Sequence, residues 1–243
     1  MPTSTRARQR ADAFTLVELL VVIGIIAVLT GMLLPTLAKA RRSAAAAKCL
    51  SNLRNMQLAH WMYIGENRGY LIQAGFSHGG HALDEQAAWF NTLQRYYQSK
   101  LLPRCPADQS TLWERPLTPG GPLRRSSYGI NNFLDRELVP WGGPYVKINQ
   151  IRRPAATVHF LEMAHEGEFA IADHPHVENW TGLNVPAVAS RQVQINAHGP
   201  NALRQSWKSL ANYGFLDGHA ETLPLGDVFT DFSRNRFDPA VAQ

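Results

Sequence analysis

Apolar and polar positions are distributed very unevenly along this chain. From Leu19 to Leu34 sixteen residues pass without a charge, and over the twenty-one residues from Phe14 to Leu34 Glu18 is the only one. At ~1.5 Å per helical residue this stretch spans about 31 Å, the thickness of a bilayer's hydrocarbon core. Nothing else in the chain approaches this apolarity, so the segment belongs in a membrane. Beyond Pro35 the pattern changes. Leu37 to Lys48 is strongly helix-forming and only mildly apolar. Then Leu50, Leu53, Met56 or Gln57, His60 and Ile64 recur at three- and four-residue spacing, which is one amphipathic face. A single helix is therefore expected from Phe14 to about Ile64, roughly 75 Å long. Pro35 should kink or locally unwind it, and Gly65 and Gly69 should stop it.

The rest of the chain is turn-rich, with proline and glycine concentrated after residue 65. Trp89–Tyr97 reads as a short helix with Trp89, Leu93 and Tyr96 or Tyr97 on one face. Strands are expected at Thr157–Glu162, Phe169–Ala172 and Arg191–Ala197, and Pro116–Pro122 as loop. Tyr213–Leu216 and His219–Leu223 flank Asp217-Gly218, a pair suited to the two positive φ values of a type I′ hairpin turn. The fold class is thus α+β: a long N-terminal helix packed on an antiparallel sheet with long loops. Residues 1–13 read as a leader, 14–34 as a transmembrane helix, 35–66 as its amphipathic continuation and 67–243 as a globular domain outside the membrane.

Charge and termini narrow the alternatives. A secretory signal peptide would have a shorter apolar core and a small-residue cleavage site after it; here the run ends in Pro35-Thr36-Leu37 and the helical pattern continues. A plain membrane anchor leaves Glu18 unexplained, because a carboxylate in an apolar helix is costly in lipid and normally has a partner. The alternative is that Glu18 reaches the headgroups. Arg6, Arg8 and Arg10 precede the apolar run, but Lys39, Arg41, Arg42 and Lys48 follow it, so positive charge alone does not orient the segment. The net charge of +5 includes the three leader arginines and Asp12; without them it is +3, and no nucleic-acid motif accompanies it.

Ala13-Phe14-Thr15-Leu16-Val17-Glu18, the apolar run and Pro35 resemble the class III leader of type IV pilins and type II secretion pseudopilins. The resemblance implies a cut by a membrane peptidase on the cytoplasmic side, between Ala13 and Phe14, followed by N-methylation of Phe14. Family members usually have Gly where this chain has Ala13. The resemblance further implies that Glu18 pairs with the Phe14 amine of a neighbouring subunit and sets register, and that Pro35 bends the helix for packing. Islands further on, Cys49–Asn55, Leu102–Asp108 with its Cys-Pro-x-Asp, Ser126–Asn131, Ile151–Ala155 and Asn212–Glu221, resemble large pilin-like families of Planctomycetes and Verrucomicrobia. The last island resembles the end of their "His, nine residues, Asp-Gly" domain. Here eighteen residues separate His198 from Asp217, which leaves no expected role for His198.

The implied role is structural: a subunit of a type II secretion pseudopilus or type IV pilus-like filament, not an enzyme. Its partners would be a prepilin peptidase, other pilin-like subunits, an inner-membrane assembly platform and membrane lipid. The globular domain would be periplasmic, or extracellular on a filament, and no nucleic acid is expected. The competing class is an anchored periplasmic receptor or lectin-like domain that never polymerises. Cys49 and Cys105 are either one disulfide or two buried thiols. His174 and His176, alternate residues on an extended chain, could hold Zn²⁺, though Asp173–Asn179 also suits an ordinary polar loop. Asp227, Asp231 and Asp238 could supply oxygen to Ca²⁺. Otherwise no cofactor is expected. Glu162, His165, Glu166 and Glu168 read as a solvated edge. Trp113, Trp141, Trp180 and Trp207 read mostly as core, with ligand binding the alternative.

Overall fold

The computed structural model describes residues 16–76, 88–97, 103–135, 145–199 and 204–243. The chain divides into two compact units, Met1–Arg41 and Arg42–Gln243. Helix α1, Leu16–Glu66, carries both the apolar stretch and the amphipathic face. Every residue from 16 to 34 is exposed, whereas burial from Cys49 onward recurs at Asn52, Leu53, Met56, Gln57, His60 and Ile64. The helix passes through Pro35 without interruption, so the expected unwinding there is not seen. Gly65 also lies inside it. The stop is made by Arg68, at φ 55°, with Gly69 N–H donating to the Ile64 carbonyl at 2.9 Å, a Schellman-type closure.

Within Arg42–Gln243 the second half of α1 packs on one face of a four-stranded antiparallel sheet. Its strands are β1 (Tyr128–Ile130), β2 (Val158–Glu162), β3 (Leu210–Phe215) and β4 (Ala220–Pro224), in that spatial order. Alternation along β3 explains how it is covered on both faces. Asn212 and Gly214 face the helix: Asn212 Nδ2 donates to the Ala46 carbonyl at 3.1 Å, and a side chain at Gly214 would press on Gln57 and Phe160. Ala211, Tyr213 and Phe215 join a second core on the other face with Val158, Leu161, Trp180, Val193, Phe229 and Phe237. On the helix side Cys49, Leu53, Met56 and Ala59 pack with Tyr128, Ile130, Phe160 and α2 (Trp89–Tyr97), which buries Trp89 and Leu93 as its spacing predicts, but adds Phe90 and leaves Tyr96 and Tyr97 half-buried. The remaining elements are α3 (Val185–Ala189), α4 (Leu225–Val228) and a small ribbon of β5 (Phe229–Asp231) and β6 (Arg234–Asn235).

Three expectations are corrected here. Phe169–Ala172 is not a strand, since Glu168–Ala170 forms a 3₁₀ turn. Arg191–Ala197 contributes only an isolated bridge, Met163 to Val193. The β3–β4 turn is not type I′: Gly218 N–H bonds the Phe215 carbonyl, Phe215 N–H bonds the His219 carbonyl, and Gly218 alone has positive φ, 107°. This is a three-residue loop with the glycine in the bulge position. Leu216 forces the choice, because it is fully buried with Ile64, Leu71, Leu134 and Ile151 and cannot serve as a strand residue facing outward.

Candidate functional site

Two places carry the chemistry singled out in the sequence. The first is the start of α1. Ala13 and Phe14 lie outside the described residues; Glu18 stands in the first turn and is exposed. A carboxylate there complements the positive end of the helix dipole. Around it Leu16, Val17, Leu19 and Leu20 are 56–77% exposed, and the same holds in kind through Leu34. Among the described residues α1 alone is long and apolar enough to cross a membrane. Among the described residues nothing covers an apolar face in this stretch, which is the state of a helix suited to lipid or to packing against other helices.

The second place is buried between α1 and the sheet. Cys49 on α1, Cys105 in the Cys-Pro-x-Asp segment, Glu162 at the end of β2 and His198 in the segment leading to β3 converge, with their ligand-capable atoms all within 4.8 Å of one another. Both cysteines are free and buried, the second of the two alternatives left by the sequence, and the chain brings their sulfurs together without bonding them. Cys49 Sγ lies 2.7 Å from Glu162 Oε1 and 3.0 Å from the Tyr128 hydroxyl. His198 Nε2 lies 2.8 Å from Glu162 Oε1, and its side chain is 3% exposed. Glu162 is thus core, not the solvated edge its sequence context suggests. Burial pushes the Cys49 thiol far up. The hydrogen bond from Cys49 holds Cys105 below the usual thiol range despite its own burial, with His198 adding to the effect. Burial lowers His198, but hydrogen bonds and charge from Cys105 and Glu162 outweigh it and raise the imidazole to about 10.

The segment that delivers Cys105 is held by a buried ion pair. Arg124 Nε meets Asp108 Oδ2 at 2.7 Å, with neither side chain exposed. Burial alone would raise Asp108, but Arg124, His165 and Ser127 hold its carboxyl below the usual range. Ser127 Oγ donates to Asp108 at 2.6 Å and accepts from Cys105 N–H at 2.9 Å. Arg124 also donates to the carbonyls of Met163, Ala164 and Ala170, fixing the chain beyond Glu162. Sequence reasoning flagged Cys105 and Asp108 but gave Glu162 and His198 no role. The signal that could have found them was the coincidence of a carboxylate ending an apolar strand with a lone histidine ahead of the next.

The other candidates resolve differently. His174 Nδ1 pairs with Asp173 Oδ1 at 2.9 Å, while His176 pairs with Glu178. The ring centroids are 5.4 Å apart, and the segment is not an extended strand that would align them. Asp173 also accepts from Gly75 and Phe76 N–H, docking that segment. Asp231 Oδ1 accepts from Ser233 and Arg234 N–H and Asp238 Oδ1 from Ala240 N–H, so both close turns. Trp180 is core as expected, Trp113 is half-buried under Arg104, and Trp207 is exposed; Trp141 lies outside the described residues.

Residues 8–34 match the family model described as the prokaryotic N-terminal methylation motif. No curated protein and no solved structure matches the chain. The match covers the apolar half of α1 and two of the three arginines before it, Arg8 and Arg10. Together with the exposed apolar helix it supports a type IV pilin-like, prepilin-processed reading, with α1 as the candidate membrane anchor among the described residues.

Proposed function

We propose that this chain is a structural subunit of a type II secretion pseudopilus or a type IV pilus-like filament. It is made with the leader 1–13, held in the inner membrane by residues 14–34, cut between Ala13 and Phe14 and methylated at Phe14. The globular part lies in the periplasm until assembly. The observation that carries this reading is the coincidence of the methylation motif with a helix whose apolar residues are exposed on every side. A plain anchor needs lipid alone. In the filament reading Glu18, in the first turn of α1, lies beside the Phe14 amine of a neighbouring subunit, and the two charges relieve each other's cost in lipid.

The chemistry is then assembly rather than turnover. Phe14 contributes the amine, Glu18 the register, and Pro35 a point where the backbone lacks an internal donor and can bend between lipid and filament. The primary test is intact-mass and terminal-peptide mass spectrometry of the protein purified from its native membrane. A start at methylated Phe14 supports the reading. A start at Met1 or Pro2 overturns it in favour of an anchored binding domain. In addition, Glu18→Ala should leave membrane insertion intact and abolish incorporation into filaments; normal incorporation would sink the register role.

A further inference from the structure

We propose that Cys49, Cys105, Glu162 and His198 form a closed structural site for a divalent metal of the zinc class. The site is independent of the filament reading and lies wholly within Arg42–Gln243.

The donor set is the first argument. Two sulfurs, one imidazole nitrogen and one carboxylate oxygen make the mixed S/N/O shell that zinc accepts and that calcium, which prefers six or more oxygens, does not. Geometry is the second. Tetrahedral bonds of about 2.3 Å to sulfur and about 2.0–2.1 Å to nitrogen or oxygen put ligand atoms about 3.3–3.8 Å apart. The four atoms here lie within 4.8 Å of each other, with Cys49 Sγ and His198 Nε2 at 2.7 and 2.8 Å from Glu162 Oε1, so side-chain adjustments of about an ångström suffice.

The third argument is an unsatisfied group. Glu162 Oε2 is buried and has no hydrogen-bond partner among the described residues, while Oε1 takes both Cys49 and His198. A buried carboxylate oxygen without a donor is costly, and a cation beside it removes the cost. The residues around the cluster are placed as an outer shell. Tyr128 hydroxyl contacts Cys49 Sγ, and Asn52 Nδ2 reaches that hydroxyl at 3.3 Å and the Arg104 carbonyl at 3.2 Å. Ala107 N–H points at Cys105 Sγ at 3.4 Å. Such contacts orient ligands and stabilise thiolate sulfur.

All four ligands come from the protein and are buried, leaving no position for substrate; this is the pattern of a structural rather than a catalytic site. The ligands arrive from α1, the loop at 103–110, β2 and the segment before β3. A metal would thus pin the helix to the sheet and the loops to both. The competing occupant of the same space is a Cys49–Cys105 disulfide, which would leave Glu162 and His198 as a buried pair.

The test uses the full chain purified in detergent without added metal or chelator. Elemental analysis should find about one zinc per chain. Replacement by Co²⁺ should give sulfur-to-cobalt charge transfer and the intense visible bands of a four-coordinate ion. Cys105→Ser and His198→Gln should each lose the stoichiometric metal, whereas His174→Gln should keep it. Because a variant could misfold, the wild-type cobalt spectrum is the deciding measurement. Three outcomes overturn the proposal: a mass two hydrogens light with thiols resistant to alkylation until reduction, which means a disulfide; free thiols with no charge-transfer band; or zinc retained in Cys105→Ser, which means an adventitious ion only.

Discussion

The Asp108–Arg124 pair shows how much one buried contact can govern. Asp108 accepts from Arg124, Ser127 and Ser110, and through Ser127 it sets the backbone that carries Cys105. Removing one charge strands the other in the core. Asp108→Ala is therefore expected to cost about 3–5 kcal/mol, read as a shift in the denaturant midpoint; a cost under about 1 kcal/mol would mean that water reaches Arg124. A second residue-scale prediction concerns His60 and His159, whose rings lie 4.2 Å apart at zero exposure. Burial lowers His60 to about 3 and His159 well below its ordinary value, with His60 adding to the latter. Their folded pKa values lie below the unfolded one, so the neutral fold is at full strength above about pH 6.5 and loses stability as pH falls toward 3. The loss is about 1.4 kcal/mol per pH unit for each ring. Unfolding of the full chain in detergent across that range checks this, and His60→Gln should flatten the slope.

At the scale of elements, periodicity predicted what lies on one helix face and missed what depends on long-range pairing. The face of α1 from Leu50 to Ile64 was legible because three- and four-residue spacing has one meaning in a helix. Leu53 is fully buried against the sheet, and Leu53→Ala should cost about 2–5 kcal/mol in thermal or denaturant unfolding. The three-residue β1 was not legible, since Tyr128–Ile130 is too short to show alternation and exists only because β2 pairs with it. The β3–β4 hairpin was legible as a turn but not as a turn type. Gly218 at φ 107° alone carries the strain, so Gly218→Ala should cost about 1–2 kcal/mol, while Asp217→Ala, at a position without positive φ, should cost less. Equal costs at the two positions would restore the type I′ assignment.

At the scale of the whole molecule, the two compact units have opposite needs. Residues 16–34 expose apolar side chains all round, whereas Arg42–Gln243 buries cores on both faces of its sheet. A chain beginning at Arg42 is expected to stay soluble and monomeric without detergent by size-exclusion chromatography, and the full chain to require detergent or lipid. Aggregation of the shorter chain would show that α1's first half stabilises the fold beyond anchoring it.

The apolar segment, the methylation motif and the long helix were legible in the sequence alone, because each rests on local properties: apolarity over a bilayer's thickness, a short contiguous pattern, and a 3.6-residue repeat. The meeting of Cys49, Cys105, Glu162 and His198 was decided only by tertiary structure. These residues are up to 149 positions apart, and nothing local distinguishes Glu162 from a surface carboxylate or His198 from a loop histidine. What brings them together is the antiparallel register of β2 with β1 and β3, the helix laid across that sheet, and the Asp108–Arg124 pair that folds the loop back.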